Sequence, residues 1–531
     1  MSVECLGALL QSCMKSKALK PGKQIHAQLL TTGTETKPGS LSSKLVGVYA
    51  GCGDGRSAKK IFESMQKPTV FAWNWMISAS AFQGDCEGAV NYFSQMQKAG
   101  IFPNKFTFSC VLKACVGLMD IMKGKELHCL IYKVGFESDV SVMNALIDMY
   151  CKCGKLDFAR KLFDEMSERD VATWTSMMCG YSHKGELENS LKLLERMKSQ
   201  GLEPNEFTWN AVITGFAQNG DCNGAFELFC KMKTGGLKPD LVTWNSMISG
   251  FTQNHQSEEA LMLFRDMLVS GLHPNSVTIA GLLPACGFTG SLNRGKEIHG
   301  LIYRRELGMN IFMITALIDM YSKCGSVNYA SNVFDQTCIP IPNVAAWNAM
   351  IGCYGKHGLV EASIQLLERM QEEGVNPNQV TFTCVLSACS HGGLVEKGLE
   401  IFMSMKENCR VELSKEHYSC IIDLLCRSGR VAEAYELVKE MGEGVNDSII
   451  GAFLNGCRIH GRSDLAKVMA EEVLRMDLKK PGGFVTLSNI YAADGEWEWV
   501  ESVRKVMKEK GVYKKAGLSW VEKKEGLLDS K

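Results

Sequence analysis

Apolar side chains recur at three- and four-residue steps along most of this chain, and the stepped runs come in pairs. In the stretch 206–240, Trp209, Val212, Ile213 and Phe216 fall on one face of a helix, and Ala225, Leu228, Phe229 and Met232 fall on one face of a second. Gly220 separates the two runs, and a Gly-x-x-Pro string at Gly236 and Pro239 closes the stretch. Glycine just past a helix end, with proline soon after, is a stop signal written in backbone geometry. The pattern predicts a helical hairpin. One hairpin cannot bury its apolar face alone, so it also predicts stacked neighbours sharing a continuous core.

The hairpin repeats. GKQIHAQLL begins at Gly22, GKELHCLIY at Gly124 and GKEIHGLIY at Gly295, while Tyr-x-x-Cys-Gly recurs at Tyr49, Tyr150 and Tyr321. Both sets are spaced by close to 101 and then 171 residues. The second spacing is the first plus two units of about 35, so the larger period is a triplet of roughly 35, 35 and 31 residues. On that ruler the repeats run 3–37, 38–69, 70–104, 105–139, 140–170, 171–205, 206–240, 241–275, 276–310, 311–343, 344–378, 379–414 and 415–446. The sequence thus predicts an all-α chain with about thirteen helical hairpins in 3–446.

Composition narrows what such an array does. Lys and Arg together number 58 and Asp and Glu number 58. A neutral chain is not the strongly basic binder that holds nucleic acid by its backbone alone, although it leaves room for one that reads bases by hydrogen bonds. The 22 cysteines would mean a disulfide framework in a short secreted chain; spread through this one, they are expected to be mostly reduced packing residues in a reducing compartment. No apolar stretch reaches the ~18–20 residues of a membrane span. The opening MSVECLGALLQSCMKSK is not the Arg- and Ser-rich stretch of an organelle transit peptide, which points to a truncated or unusually short N-terminus.

Units such as VTWNSMISGFTQNHQSEEALMLFRDMLVSGLHPN resemble pentatricopeptide repeats, and the 35/35/31 alternation resembles the plant subclass that mixes P, L and S repeats. The Trp-x-x-Leu-Gly-x-x-Tyr pattern of tetratricopeptide repeats is not found. The resemblance covers 3–446. Residues 447–480 resemble the E1 motif and 481–516, with LSNIYAADGEWEWVESVRKVMKEKGV, the E2 motif, together expected to form a helical extension like tetratricopeptide repeats. The remaining 517–531 is similar to only the opening of the next module, a truncated tail that stops where a DYW deaminase domain would begin. The resemblance implies a right-handed superhelical solenoid of helix-turn-helix repeats.

A zinc deaminase needs three His or Cys ligands and a Glu proton shuttle, written His-x-Glu and later Pro-Cys-x-x-Cys. No His here is followed two residues later by Glu, no Cys-x-x-Cys pair exists, and Cys151 and Cys153 have a poor spacing for zinc. The chain is therefore expected not to be an enzyme itself, and to hold no metal or cofactor.

The resemblance assigns base reading to the fifth and last residues of a repeat. In the P and S repeats these pairs are Asn74/Asn104, Asn144/Asp170, Thr175/Asn205, Asn210/Asp240, Asn245/Asn275, Thr315/Asn343, Asn348/Asn378 and Ser419/Asn446, all small amides, hydroxyls or carboxylates. An ionised Asp only accepts, which suits the ring N–H of uracil or guanine; Asn can also donate, which suits the bare ring nitrogen of adenine or cytosine. By the family rule, Thr or Ser at position five goes with purines and Asn with pyrimidines. Read 5′ to 3′ in chain order, the repeats spell N-N-C-N-U-A-U-C-N-A-C-N-A. Gly7/Lys37, Ser43/Thr69, Ala280/Asn310 and Thr383/Ser414 are uninformative, and Ser109/Asp139 hints at G. Two extra residues around CIPIPN, in 311–343, loosen the register of Thr315/Asn343. Asn and Asp at repeat ends equally suit turns and helix caps.

Lys152, Lys323, Lys356 and Arg427 fall at position 13 and are candidates for phosphate contact, although cations are favourable near any helix C-terminus. Trp73, Trp174, Trp209, Trp244 and Trp347, at position four, belong to the packed face rather than to stacking platforms. His26, His128 and His299 recur at triplet spacing, too far apart to share a metal, and are expected to be structural.

The resemblance then implies a site-recognition factor for cytidine-to-uridine editing of single-stranded organellar RNA, in mitochondrion or plastid, recruiting a DYW-type cytidine deaminase or other editing factors in trans. No membrane and no small-molecule substrate are expected. A splicing, stabilisation or translation factor of the same fold, and a protein-binding helical scaffold, stand as alternatives.

Overall fold

The computed structural model describes residues 3–32, 40–336, 343–408, 411–441, 445–475 and 481–513. The CIPIPN insertion, Lys37 and the tail 517–531 lie outside the described residues, apart from Asn343 at the insertion's end. Within them the chain is thirty helices from Val3–Ser16 to Trp497–Glu509, with no strand. They form fifteen hairpins, two of them beyond residue 446, at Asp447–Ile459 with Ser463–Arg475 and at Gly482–Ala493 with Trp497–Glu509.

Each hairpin follows from its sequence signals. In 206–240 the helices are Glu206–Gln218 and Cys222–Thr234. Asp221 accepts from the Gly224 N–H at 2.9 Å and so caps the second helix. Between the helices, Gly220 lies at φ +88°, and the Asp221 N–H returns to the Phe216 carbonyl at 3.1 Å. That left-handed turn satisfies carbonyls the first helix leaves open, in a conformation that costs other residues about 1–2 kcal/mol.

Contacts group the helices into two units, Met1–Gly250 and Phe251–Lys531. Inside each, the first helices of successive hairpins pack side by side, and each second helix packs on its own first helix and on that of the next hairpin. Gly215 permits a close approach: a Cβ there would meet the Ser182 side chain at 2.2 Å.

Aromatic pairs join one hairpin to the next. Phe62 meets Trp73 at 4.6 Å, Phe163 meets Trp174 at 4.8 Å, Phe229 meets Trp244 at 4.8 Å and Phe334 meets Trp347 at 5.0 Å, all edge to face. These tryptophans and Trp209 are buried, so the packed-face expectation holds. His26, His128 and His299 likewise bond the hydroxyls of Tyr49, Tyr150 and Tyr321 at 2.9, 2.9 and 2.8 Å, across a hairpin junction each time. Burial holds the His128 and His299 imidazoles below their usual range and pushes the Tyr150 and Tyr321 phenols up to about 12. The cysteines in the described residues are free thiols, and burial raises Cys115, Cys151 and Cys286 to about 12. Among the described residues no helix is long and apolar enough to cross a membrane.

Candidate nucleic-acid interface

The last residue of a repeat sits where one hairpin hands over to the next, just before the next first helix. There the backbone turns from extended to helical, and the first N–H groups of the helix lack partners. Asn104, Asp170, Asn205, Asn275 and Asn378 each turn Oδ1 onto the backbone N–H three residues on, at 3.1, 2.8, 3.0, 2.9 and 3.0 Å. Asp240 does the same with Thr243 at 2.9 Å. Asn343 reaches the Ala345 N–H at 2.7 Å, and Asn446 reaches those of Ser448 and Ile449, both at 3.1 Å. All eight are helix caps.

Capping does not exhaust these side chains. An amide or carboxylate has two ends, and the cap occupies Oδ1. The other end of an Asn is the Nδ2 donor, and of an Asp the Oδ2 acceptor. None of the eight is buried.

The structure brings position five against the last residue in several pairs. Asn74 Nδ2 donates to Asn104 Oδ1 at 3.1 Å, Asn144 to Asp170 at 3.0 Å, Asn210 to Asp240 at 3.2 Å and Asn348 to Asn378 at 3.1 Å. Thr175 and Asn205 are joined through the Thr208 hydroxyl, at 2.8 and 3.0 Å. Ser448 links Ser419, by a 3.0 Å hydroxyl contact, to Asn446. Thr315 turns its hydroxyl onto the Ile311 carbonyl at 2.7 Å, as Thr175 does onto that of Val171 at 2.7 Å. Asn245 holds the fifth position of helix Leu241–Gln253 and Asn275 caps helix Ser276–Thr289.

Burial pushes the Asp170 and Asp240 carboxyls up, but the hydrogen bonds they accept outweigh it. Those from the Thr173 and Thr243 backbone N–H groups, from the Thr173 hydroxyl, and from Asn144 and Asn210 hold both below the usual carboxylate range. Each interface Asp is therefore a fixed negative charge at neutral pH.

The position-13 cations are already paired. Lys152 meets Asp148 at 2.9 Å, Lys323 meets Asp319 at 2.7 Å and Arg427 meets Asp423 at 2.8 Å, all one helical turn back, while Lys356 lies 3.9 Å from Asp319. Exposed pairs of this kind are weak, so a phosphate competes with a carboxylate there rather than meeting a bare cation.

Two sets of residues escaped the sequence reading. The first is a threonine three places after the last residue: Thr107, Thr173, Thr208, Thr243, Thr278 and Thr381. The recurring Asn/Asp-x-x-Thr string was its visible signal. The second is an apolar side chain at position two, where Phe71, Phe106, Phe207, Val242, Val277, Phe312 and Val380 stand exposed. Exposed large apolar groups in a recurring register call for an explanation in a way that scattered ones do not. They stand two residues beyond Thr69, Asn104, Asn205, Asp240, Asn275, Asn310 and Asn378, on the opening turn of the first helix, while Ala172, Ala345 and Ser448 hold that place after Asp170, Asn343 and Asn446.

Comparison with known proteins places the same register in context. A model described as the PPR repeat family matches 68–117, 138–172, 169–218, 204–243, 239–287 and 342–391, PPR repeat models match 380–409 and 411–442, and an E motif model matches 460–522. A pentatricopeptide repeat-containing protein of Arabidopsis thaliana is 42% identical over 522 residues, covering 98% of this chain and 97% of its own length. A second from that plant, named chloroplastic, is 34% identical over 97% of this chain, which spans only 52% of that relative. A third, named as putative and mitochondrial, is 31% identical over 98% of this chain and 72% of its own length. Among solved structures, a cysteine-to-serine variant of the pentatricopeptide repeat protein PPR10, in complex with an 18-nt RNA element, superposes with a TM-score of 0.51. It shares 17% identity, over 95% of this chain and 89% of that one, a likeness of fold.

Proposed function

This chain belongs to the pentatricopeptide repeat family, and from that premise we propose that it binds single-stranded RNA, reading one base per repeat. The observation that carries the reading is the pairing of position five with the last residue at one hairpin junction after another. Each junction offers a donor or acceptor, and after Asn104, Asn205, Asp240, Asn275 and Asn378 an exposed Phe or Val stands two residues on. A base laid there gains contact area from the apolar group and a hydrogen-bond partner from the Asn or Asp.

The chemistry of the end not used in capping follows the decoded string. Asp170 and Asp240 present Oδ2, an acceptor for the ring N–H of uracil. Asn104, Asn205, Asn275, Asn343, Asn378 and Asn446 present Nδ2, a donor to the bare ring nitrogen of cytosine or adenine. The chain is a binding protein on this reading, and chemistry on the RNA comes from a partner.

The finer reading is recognition of a cytidine to be edited to uridine in a mitochondrial or plastid transcript. The two hairpins in 447–480 and 481–516, as E1 and E2 motifs, recruit a DYW-type deaminase in trans. Support is the match to the E motif and the chloroplastic and mitochondrial names of the relatives. The edited base follows the string after three unread nucleotides.

A gel shift at one stated salt concentration tests the base reading. One RNA carries N-N-C-N-U-A-U-C-N-A-C-N-A, and the other exchanges U with C and A with G at the decoded positions. Several mismatches at ~1 kcal/mol or more each separate the two by at least tenfold. Equal or absent binding sinks the decoded site and favours the protein-binding scaffold. With a purified DYW-type deaminase added, conversion of the predicted cytidine should require this chain; a chain that binds the RNA without supporting conversion belongs to splicing, stabilisation or translation instead.

A further inference from the structure

We propose that Thr107, Thr243 and Thr381 are positioning residues for base reading, each orienting the amide of the Asn at position five of the preceding repeat. This rests on the base-reading function proposed above and adds a third residue, from the neighbouring hairpin, to each reading pair.

An Asn side chain can turn its amide end for end and so exchange donor and acceptor; only its partners decide which way it faces. Thr107 Oγ1 donates to Asn74 Oδ1 at 2.6 Å, Thr381 Oγ1 donates to Asn348 Oδ1 at 2.6 Å, and Thr243 Oγ1 donates to Asn210 Oδ1. A hydroxyl has one proton. Thr107 and Thr381 also lie 3.1 Å from the Oδ1 of Asn104 and Asn378, and Thr243 lies 2.9 Å from that of Asp240, so in each the proton goes to the nearer amide at position five. With its oxygen so held, that Asn must aim Nδ2 at the last residue, and one Nδ2 proton remains for a base.

The sequence agrees with that role. Every Asn at position five in a P or S repeat (Asn74, Asn144, Asn210, Asn245, Asn348) is followed by a Thr at the third place of the next repeat (Thr107, Thr173, Thr243, Thr278, Thr381). Thr315 and Ser419 have no amide to orient, and Ala346 and Ile449 stand at the corresponding places; Thr175 also has none, and there Thr208 sets its hydroxyl 2.8 Å from that of Thr175. Behind the undecoded pairs Ser109/Asp139, Ala280/Asn310 and Thr383/Ser414 the place holds Val142, Met313 and His417.

One repeat supplies a comparison within the chain. Thr173 donates to Asp170 at 2.8 Å, and Asn144 Oδ1 is buried with no hydrogen-bond partner. Asn144/Asp170 and Asn210/Asp240 are the same residue pair, and only the second holds its amide by the threonine.

The last residue separates U from C, and position five separates U from G. The test is therefore anisotropy binding of Thr243→Val and Thr243→Ser, as full chains, to RNAs bearing U, G or C at the nucleotide assigned to 206–240. Thermal melting confirms that each is folded. The wild type should favour U over G by about tenfold. Thr243→Val should lose most of that preference while keeping its preference for U over C, and Thr243→Ser should restore it. An unchanged U-over-G ratio in Thr243→Val overturns the proposal, as does equal weakening for all three bases, which marks a structural role. If Thr243→Val does not fold, the wild type decides: weaker U-over-G discrimination at the nucleotide of 140–170 than at that of 206–240 supports the proposal, and equal discrimination overturns it. A wild type that discriminates at neither nucleotide overturns the base reading itself.

Discussion

At the scale of single residues, the interface rests on a division of labour within one functional group. Oδ1 of the last residue closes a helix end, and the atom left over carries the information. Asp240→Asn keeps the cap, since both residues cap well, but replaces an acceptor by a donor. It should move the preferred base at the nucleotide of 206–240 from U to C, a reversal of about tenfold in each direction read by competition binding. Unchanged preference would mean that Asp240 only caps. The depressed carboxyls of Asp170 and Asp240 fix a pH dependence as well. A lowered folded value stabilises the fold fully above the unfolded value of ~3.9, and that contribution is lost as pH falls through the folded value. Both carboxylates thus stay ionised between about pH 5 and 8, and U preference at their nucleotides should be flat across that window in binding titrations. The reading pairs were legible in the sequence as residue types in register. The threonines were not, because they lie in the next repeat and look like ordinary capping-box residues until their hydroxyls are seen on another hairpin's amide.

At the scale of the hairpin, the same residue type does opposite jobs according to its face. Phe207 is 77% exposed at the start of helix Glu206–Gln218, and Phe229 is 2% exposed against Trp244. Phe207→Ala removes nothing from the core, so the melting temperature should hardly move, while RNA binding weakens by ~1–3 kcal/mol through lost contact with a base. Phe229→Ala opens a cavity between two hairpins and should cost ~3–5 kcal/mol of stability, seen as early melting. A Phe207→Ala variant that binds RNA normally would remove the exposed apolar register from the interface. The pattern of apolar steps predicted the buried face of each helix. It gave no reason to single out position two, because one exposed phenylalanine per helix is unremarkable and only its repetition across hairpins is informative.

At the scale of the molecule, neutrality shapes how the chain should bind. With 58 cationic and 58 anionic side chains, and with the position-13 cations already facing carboxylates, few counterions are released on binding. If all four of those cations met phosphate, the salt slope would be about −3, and we expect a value no steeper than that in a salt titration. A markedly steeper slope would point to a backbone binder whose base contacts are secondary. The repeat frame and the hairpin, cap and turn positions were determined by the sequence by itself. Helix periodicity, glycine and proline stops and Asn or Asp caps act over a few residues and leave a local signature in every unit. Only the tertiary structure decided that Asn210 lies against Asp240 and Thr243, some thirty residues on, which amide end each partner takes, and which aromatic rings stay in water. Those outcomes depend on how one hairpin seats on the next, and no local periodicity encodes the partner across that junction.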